Sequence, residues 1–171
     1  MSSKYPIFDL EAAIHLAKFA HSGQQDYSGQ DYFLHPLIVM RSVPNATETE
    51  KMAAVLHDVV EDTKVSMGML ASLGCPPDVL EIVRLISRDK SDGKTYAQWI
   101  DSIATSGNVS AIKVKIADMT HNMSPERTKY LPPEKKGVTE RYKKGIVVLM
   151  NALEQLEKKD GNSGVDTEKV Q

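Results

Sequence analysis

The chain has 171 residues, 41% of them hydrophobic and 26% charged, with a formal net charge of −2 at pH 7. These values are typical of one globular domain with a full hydrophobic core, and they argue against a nucleic-acid-binding protein that relies on a broad basic surface. No apolar run is long enough to span a membrane, the N-terminus has no apolar signal core, and the single cysteine, Cys75, allows no intrachain disulfide, so we expect a cytoplasmic protein.

Helical periodicity begins near the N-terminus. Asp9 is expected to cap a first helix, in which apolar residues recur at helical spacing and which ends near His21. A polar loop follows up to Asp31, and Pro36 suits the first position of a second helix that runs to about Val43. This part of the chain is therefore predicted to form two helices joined by one loop.

Two capping boxes mark the starts of later helices. Residues 47–50 read Thr-Glu-Thr-Glu and residues 95–98 read Thr-Tyr-Ala-Gln. In each, the first Thr side chain can accept from the backbone N–H three residues later, and the Glu or Gln there can accept from the backbone N–H of that Thr. Between the boxes, Gly74 is expected to close a short helix, and residues 76–78 (Pro-Pro-Asp) to begin another.

The last third of the chain continues the helical pattern. Asn108 can cap a helix that ends or is interrupted at 124–125, and residues 132–134 (Pro-Pro-Glu) can begin a final long helix. No segment shows a convincing strand alternation. The prediction is an all-α fold, a single helical bundle of about seven to nine helices at 1–157, followed by a polar, disordered tail at 158–171.

A His-Asp pair interrupts the most apolar helical segment. His57 and Asp58 lie between Ala-Ala-Val-Leu and Val-Val, where burying a carboxylate is costly unless it is paired or bound to a metal. A neutral imidazole and an ionised carboxylate together suit a divalent transition metal. Glu61 and Asp62 follow at once, and Glu61 would lie one turn after His57 in a continuous helix. There it could handle a proton beside the metal, as metal-assisted hydrolysis requires.

Two other segments carry ligand-type residues in similar surroundings. His35 lies at a junction between loop and helix, and Asp118 shares one face of an apolar helix with Asn122. A mixed set of imidazoles and carboxylates favours Mn²⁺, with Fe²⁺ or Zn²⁺ as rivals. The alternative is a buried network of ion pairs and caps that only stabilises the fold. The predicted metal ligands are His35, His57, Asp58 and Asp118.

These motifs resemble a known family. His-Pro at 35–36, His-Asp-x-x-Glu-Asp-Thr at 57–63 and Lys-x-Ala-Asp-x-x-His-Asn at 115–122 are similar to the HD-domain phosphohydrolases. More narrowly, they resemble the hydrolase domain of RelA/SpoT proteins and the small alarmone hydrolases, over about residues 9–155. The resemblance implies a single HD-domain helical bundle, an Mn²⁺ site built from the four predicted ligands, and hydrolysis of the 3′-pyrophosphate of (p)ppGpp to pyrophosphate and GDP or GTP. No synthetase activity is expected from a chain of this length.

The resemblance also implies roles for single residues. Glu61 and Asp62 are expected to activate and orient the attacking water. The expected partner is a small-molecule nucleotide, with neither nucleic acid nor membrane, and the sequence makes no prediction about oligomeric state. The residues expected to contact the nucleotide or its phosphates are Asn122, Tyr142, Lys115 and Arg41.

One loop departs from the family pattern. The family has an Arg-Lys pair after His-x-Gly-Gln, whereas here Asp26-Tyr27 follows the matching residues 21–24. A carboxylate that faces a polyphosphate would repel it, so either the loop turns away or the substrate differs. A ppApp-type alarmone, NADPH and other nucleotide phosphates are the alternative substrates. A non-catalytic nucleotide sensor is disfavoured, because all four predicted ligands and the Glu61-Asp62 pair are intact.

Overall fold

A computed structural model describes residues 7–162 of the chain. This part is all-α, as predicted, and its only strand-like pairing is a bridge between Gln25 and Asp31. Ten α-helices occur in it, which exceeds the predicted seven to nine because two of them are four-residue turns. The helices are α1 (Leu10–Ala20), α2 (Leu34–Ser42), α3 (Glu48–Leu56), α4 (Val59–Asp62), α5 (Met67–Ser72), α6 (Pro77–Ile86), α7 (Tyr96–Ala104), α8 (Val109–Asn122), α9 (Pro125–Thr128) and α10 (Val138–Asn162).

The predicted helix caps are confirmed at four helices. The side chains of Asp9 and Asn108 accept hydrogen bonds from backbone N–H groups in the first turns of α1 and α8. Thr47 and Thr95 each form both halves of a capping box with the residue three positions later, at the starts of α3 and α7. Such caps satisfy backbone N–H groups that have no partner within the helix.

Two predicted helix starts are displaced. α2 begins at Leu34, so that Pro36 lies within its first turn, where a missing N–H costs no hydrogen bond. α10 begins at Val138, because residues 133–135 form a separate 3₁₀ turn closed by a bond from the Lys135 N–H to the Pro132 carbonyl.

The last helix is longer than predicted. α10 continues to Asn162, so the first five residues of the predicted tail, 158–162, belong to the helix. Near its end the Lys158 ammonium donates to the Glu154 carboxylate, four residues earlier, at 2.7 Å, a pairing that favours helix over coil. The remainder of the predicted tail, 163–171, lies outside the described residues, as do residues 1–6 of the predicted domain.

α3 and α8 form the centre of the bundle. α3 packs against α1, α2, α6 and α8, and α8 packs in addition against α7, α9 and α10. Both contribute fully buried apolar side chains, such as Leu56 of α3 and Ile112 of α8. Of the predicted ligands, His57 and Asp58 directly follow α3 and Asp118 lies in α8, so the centre of the bundle holds them. None of the described helices combines the length and apolarity needed to cross a membrane.

Candidate functional site

The backbone leaves the helix at the His-Asp pair. α3 ends at Leu56 and α4 begins at Val59, so His57 and Asp58 occupy a turn and not the continuous helix that would place Glu61 one turn after His57. In a regular helix, neighbouring side chains point about 100° apart. The turn instead brings His57 Nε2 to 3.0 Å from Asp58 Oδ2, so that adjacent residues can bind the same ion.

The four predicted metal ligands converge. The Nε2 atoms of His35 and His57 are 3.2 Å apart. Asp58 Oδ2 lies 3.5 and 3.0 Å from these two nitrogens, and Asp118 Oδ1 lies 3.2 and 3.4 Å from them. Two atoms that bind one ion at about 2.1 Å, at angles near 90–110°, are about 3.0–3.4 Å apart. These distances therefore match a divalent metal site, and the group formed by His35, His57 and Asp58 could hold an ion.

Neighbouring groups direct both imidazoles towards the cluster. His57 Nδ1 donates to the Ala54 carbonyl at 2.7 Å, so that in the neutral ring the lone pair is on Nε2. His35 Nδ1 lies 2.7 Å from His121 Nδ1, and the two rings stack with centroids 5.0 Å apart. Burial, with His35 and Arg127 nearby, lowers the pKa of His121 to about 4, so the neutral His121 can accept this hydrogen bond. Such outer contacts fix the tautomer of metal-binding histidines. The sequence motif alone assigns His121 no such role.

The electrostatics of the cluster favour a cation. Burial opposes charge on His57, yet Asp58 and Asp118 raise its pKa to about 10. Burial likewise opposes ionisation of Asp118, but Lys115 and His57 hold the pKa of that carboxyl well below its usual range, and His57 lowers the pKa of Asp58. Burial lowers the pKa of His35, which leaves that ring neutral. Two carboxylates and a neutral imidazole are what a metal ion binds.

An open cleft of about 630 Å³ begins at the cluster. Asp58 and Asp118 line it, and so do Glu61 and Asp62. Glu61 Oε2 accepts a hydrogen bond from the Arg88 backbone N–H at 3.1 Å, which orients this carboxylate. Partial burial, together with the charges of Asp58 and Glu61, raises the pKa of Asp62. The cleft therefore combines a candidate metal-binding set with two further carboxylates, in a volume typical of small-molecule sites.

The predicted substrate contacts fall into two groups. Asn122, Lys115 and Tyr142 line the cleft, whereas Arg41 is exposed near the end of α2 and is not among the lining residues. Asn122 Nδ2 donates to Asp118 Oδ1 at 2.6 Å, and the buried Lys115 ammonium donates to Asp118 Oδ2 at 2.8 Å. Both side chains therefore hold a predicted metal ligand, and the geometry gives Arg41 no support as a contact.

Aromatic rings form another wall of the cleft, defined by Tyr96, Trp99 and Tyr142. The rings of Tyr96 and Tyr142 are 6.1 Å apart, and the Arg141 guanidinium carbon lies 4.4 Å from the centroid of Tyr96. The Lys115 ammonium lies 4.5 Å from the Trp99 ring. Such rings and cations are the groups on which a nucleotide base can stack.

The sequence reading missed two residues beside the cluster. The Tyr32 hydroxyl donates to Asp58 Oδ2 at 2.7 Å, and burial and the Asp58 charge raise its pKa, so that it stays protonated. The Arg127 guanidinium carbon lies 5.8 Å from the Tyr32 ring centroid, and both residues line the cleft. The position of Tyr32, three residues before His35, was an available signal. The sequence around Arg127 offers none.

The loop with the unusual Asp-Tyr pair faces the cleft. Asp26 and Tyr27 both line it, so the loop does not turn away. Asp26 Oδ1 accepts hydrogen bonds from the Ser28 amide and hydroxyl at 2.8 and 2.6 Å, and Asp26 Oδ2 lies 3.8 Å from Arg127 Nη1. Although partial burial opposes it, the bonds from Ser28 lower the pKa of Asp26. The Tyr27 hydroxyl accepts from Lys135, whose ammonium also lies 5.1 Å from that ring's centroid.

Known proteins resemble this chain in sequence and in fold. No family model matches it. It is 34% identical over 142 residues to the bifunctional (p)ppGpp synthase/hydrolase RelA of Mycobacterium tuberculosis, which covers 77% of this chain and 19% of that protein. It is 34% identical over 124 residues to the bifunctional (p)ppGpp synthase/hydrolase SpoT of Escherichia coli, with coverage of 67% and 17%. The chain thus spans less than a fifth of the length of either relative.

A solved structure matches over nearly the whole chain. It is that of a metazoan ortholog of SpoT that hydrolyzes ppGpp, with a TM-score of 0.69, 25% sequence identity, and coverage of 93% of this chain and 99% of that one. The helical bundle and its His-Asp cluster are those of an HD-domain protein. Together with the sequence matches, they show that the chain belongs to the RelA/SpoT family.

Proposed function

We propose that this chain is a metal-dependent phosphohydrolase that removes the 3′-pyrophosphate of (p)ppGpp, releasing pyrophosphate and GDP or GTP. The observation that carries the proposal is that both imidazole Nε2 atoms lie within 3.0–3.5 Å of each other and of one oxygen each of Asp58 and Asp118, in a cleft that Glu61 and Asp62 also line. By their names, the RelA and SpoT relatives synthesise and hydrolyse (p)ppGpp, and the metazoan SpoT ortholog hydrolyses ppGpp.

The proposed ion is Mn²⁺. Two imidazoles and two carboxylates form a mixed nitrogen and oxygen set, which suits Mn²⁺ and is also compatible with Fe²⁺ or Zn²⁺. When bound, such an ion polarises a phosphoryl oxygen and lowers the pKa of water. The hydrogen bonds from His57 to Ala54 and from His35 to His121 keep both Nε2 atoms available to it. The proposed ligands are His35, His57, Asp58 and Asp118.

Glu61 and Asp62 are the proposed proton-handling groups. As the water oxygen bonds to the phosphorus next to the ribose 3′ oxygen, one of these carboxylates takes the proton. The bond between that phosphorus and the 3′ oxygen breaks, and the leaving oxygen needs a proton, which the same pair can return. The raised pKa of Asp62 suits a group that must accept a proton and release it again.

The aromatic wall is the proposed site of the base. Tyr142 and Tyr96 offer ring faces beside the Arg141 guanidinium, which can stack on a base or bind a phosphate. Asn122 donates to Asp118, and its carbonyl oxygen remains available to a nucleotide near the ion. We accordingly propose that the partner is a small-molecule nucleotide. The described helical bundle is the proposed hydrolase domain.

The Asp26-Tyr27 loop is compatible with an anionic substrate. Asp26 is bonded within its own loop and lies near Arg127, so its charge is partly neutralised. Arg127 keeps other N–H donors, and Lys135 adds a second cation at the same wall. We propose that these two cations, Arg127 and Lys135, bind the phosphates that are not cleaved.

A second candidate substrate class rests on the same loop. Because a carboxylate and a phenol replace the basic pair of the family pattern at the cleft, a ppApp-type alarmone, NADPH or another nucleotide phosphate is the alternative. This alternative retains the metal-dependent chemistry and changes only the recognition of the nucleotide.

The test is a comparison of substrates. The purified protein is incubated with Mn²⁺ and, separately, with ppGpp, ppApp and NADPH, and the products are resolved by ion-exchange chromatography. We expect pyrophosphate and GDP from ppGpp. Turnover of ppApp or NADPH with ppGpp left intact would contradict the guanosine specificity and support the second class.

A further inference from the structure

His21 is a buried histidine that the proposed chemistry does not use. It follows α1 as its C-cap and is 0% exposed. Its ring lies 5.1 Å from that of Tyr32, which in turn donates to Asp58. A phenyl ring could fill this place without the cost of burying ring nitrogens, one of which, Nε2, has no hydrogen-bond partner within residues 7–162. What the imidazole adds is the hydrogen bond made by its other nitrogen.

That hydrogen bond fixes the orientation of Gln24. Gln24 Nε2 donates to the Asp62 backbone carbonyl at 2.9 Å, and Gln24 Oε1 lies 2.8 Å from His21 Nδ1. Because a carbonyl oxygen only accepts, the amide nitrogen of Gln24 must face Asp62, and its oxygen must face His21. His21 Nδ1 therefore carries the hydrogen and donates it. Exchanging the two ends of the Gln24 amide would set its oxygen against the Asp62 carbonyl and lose that hydrogen bond.

The Asp62 carbonyl lies at the end of the helix that carries the proposed proton-handling groups. α4 is only four residues long, and a helix of one turn has little stability of its own. The last carbonyls of a helix have no partner within it, so the donor from Gln24 both satisfies one of them and ties α4 to the loop after α1. Within α4, the Asp62 N–H bonds back to the carbonyl of Asp58, a proposed metal ligand.

We propose that His21 and Gln24 are positioning residues for the Glu61-Asp62 pair. They act through the Asp62 carbonyl and hold α4 at a fixed place beside the metal ligands. This inference rests on the proposed function of Glu61 and Asp62 as the groups that orient and deprotonate water. Since reacting groups must be placed to within a fraction of an ångström, a small displacement of α4 slows the reaction without preventing the nucleotide from binding.

The test compares two substitutions of Gln24. Gln24→Met removes both hydrogen bonds, whereas Gln24→Glu keeps an acceptor for His21 and places a second acceptor against the Asp62 carbonyl. Both are expected to lower kcat at least about tenfold, with KM for ppGpp and the Kd for Mn²⁺ changed less than about threefold. The neighbouring, exposed Gln25 provides the matched controls, Gln25→Met and Gln25→Glu, which are expected to keep the wild-type kcat.

Gln24→Glu separates positioning from a structural role. If Gln24 only satisfied the buried His21, Gln24→Glu would keep the wild-type kcat, and that result would overturn the proposal. An equal rise in KM and fall in kcat would also contradict it. Hydrogen–deuterium exchange of the α4 amides gives a second readout that needs no substrate. We expect faster exchange in both Gln24 variants than in the Gln25 controls, and equal exchange rates would overturn the proposal.

The same design separates this inference from the proposed function. Inertness of the wild-type protein towards ppGpp, ppApp and NADPH would contradict the proposed function alone. The positioning role of His21 and Gln24 would then be tested by hydrogen–deuterium exchange of the α4 amides. Faster exchange in the Gln24 variants than in the Gln25 controls would support it, and equal exchange rates would overturn it.

Discussion

The buried ligand cluster differs from the outer wall of the cleft, formed by Tyr27, Arg127 and Lys135, in how firmly its side chains are held. In the cluster, the side chains of His35 and His57 are each 1% exposed, and each ring is oriented by a second residue. At the outer wall, Tyr27 is 52% exposed and contacts the exposed Lys135. The comparison teaches that the proposed chemistry uses side chains with little freedom, whereas the proposed recognition of the nucleotide uses side chains that can change without disturbing the core.

The largest effect is expected at the cluster, from Asp58→Ala. Removing one of two carboxylates beside His57 removes a proposed ligand and much of the charge that favours a cation there. We expect Mn²⁺ binding, measured by calorimetry, and pyrophosphate release to fall to background. The exposed Asp89 provides the control, Asp89→Ala, with both properties unchanged. Wild-type affinity for Mn²⁺ in Asp58→Ala would break the assignment of the cluster as a metal site.

Glu61→Gln tests whether metal binding and proton handling are separable. The amide keeps the shape of the side chain and can still accept from the Arg88 N–H, but it cannot take a proton. We expect kcat to fall by about 10²–10⁴-fold, the range of general acid–base catalysis, with the Kd for Mn²⁺ unchanged. Steady-state kinetics and calorimetry measure both, and an unaltered kcat would show that Glu61 has another role.

A smaller effect is expected from His121→Phe, which keeps a ring stacked on His35 and removes the hydrogen-bond acceptor. Loss of such an outer contact weakens metal binding about 10- to 100-fold. The exposed His15 offers a matched control, His15→Phe, on the surface of α1. Equal Mn²⁺ affinities in the two variants would mean that the core alone orients His35.

The smallest effect is expected at the outer wall, from Arg127→Gln. The loss of one charge-assisted contact to a phosphate is expected to raise KM for ppGpp about tenfold and to leave kcat within about threefold. Lys129→Gln, which removes a cation that contacts Tyr130 and does not line the cleft, is the control. A fall in kcat with KM unchanged would place Arg127 with the chemistry and weaken the division between the two regions.

The ligand cluster was easier to predict from the sequence than the outer wall of the cleft, for a physical reason. A carboxylate within an apolar helix, as at Asp118, is costly unless it is bound, so its type and surroundings indicate a site. The break that turns His57 and Asp58 towards one point was not predicted, because the apolar periodicity runs through it. Residues at the outer wall do not interrupt an apolar pattern in this way, so the sequence does not mark them as part of a site. Arg127 is one of 21 Lys and Arg residues in the sequence, and its place beside Asp26 depends on contacts across the fold.

Helix boundaries show the same contrast. Starts marked by a side-chain cap, such as Thr47 and Thr95, were predicted at the residue, since one hydrogen bond defines them. The start of α10 was placed too early, because a proline can begin a 3₁₀ turn as readily as an α-helix. The end of α10 was also placed too early, since polar residues on an exposed helix resemble a tail.

The most direct test of the account is metal dependence in the intact protein. The chain is stripped of metal with a chelator and titrated with Mn²⁺, while pyrophosphate release from ppGpp and Mn²⁺ binding are followed together. The account predicts no hydrolysis without metal and a rise in activity that follows the filling of one site and is absent in Asp58→Ala. Full hydrolysis by the stripped protein, or activity that does not follow Mn²⁺ binding, would contradict it.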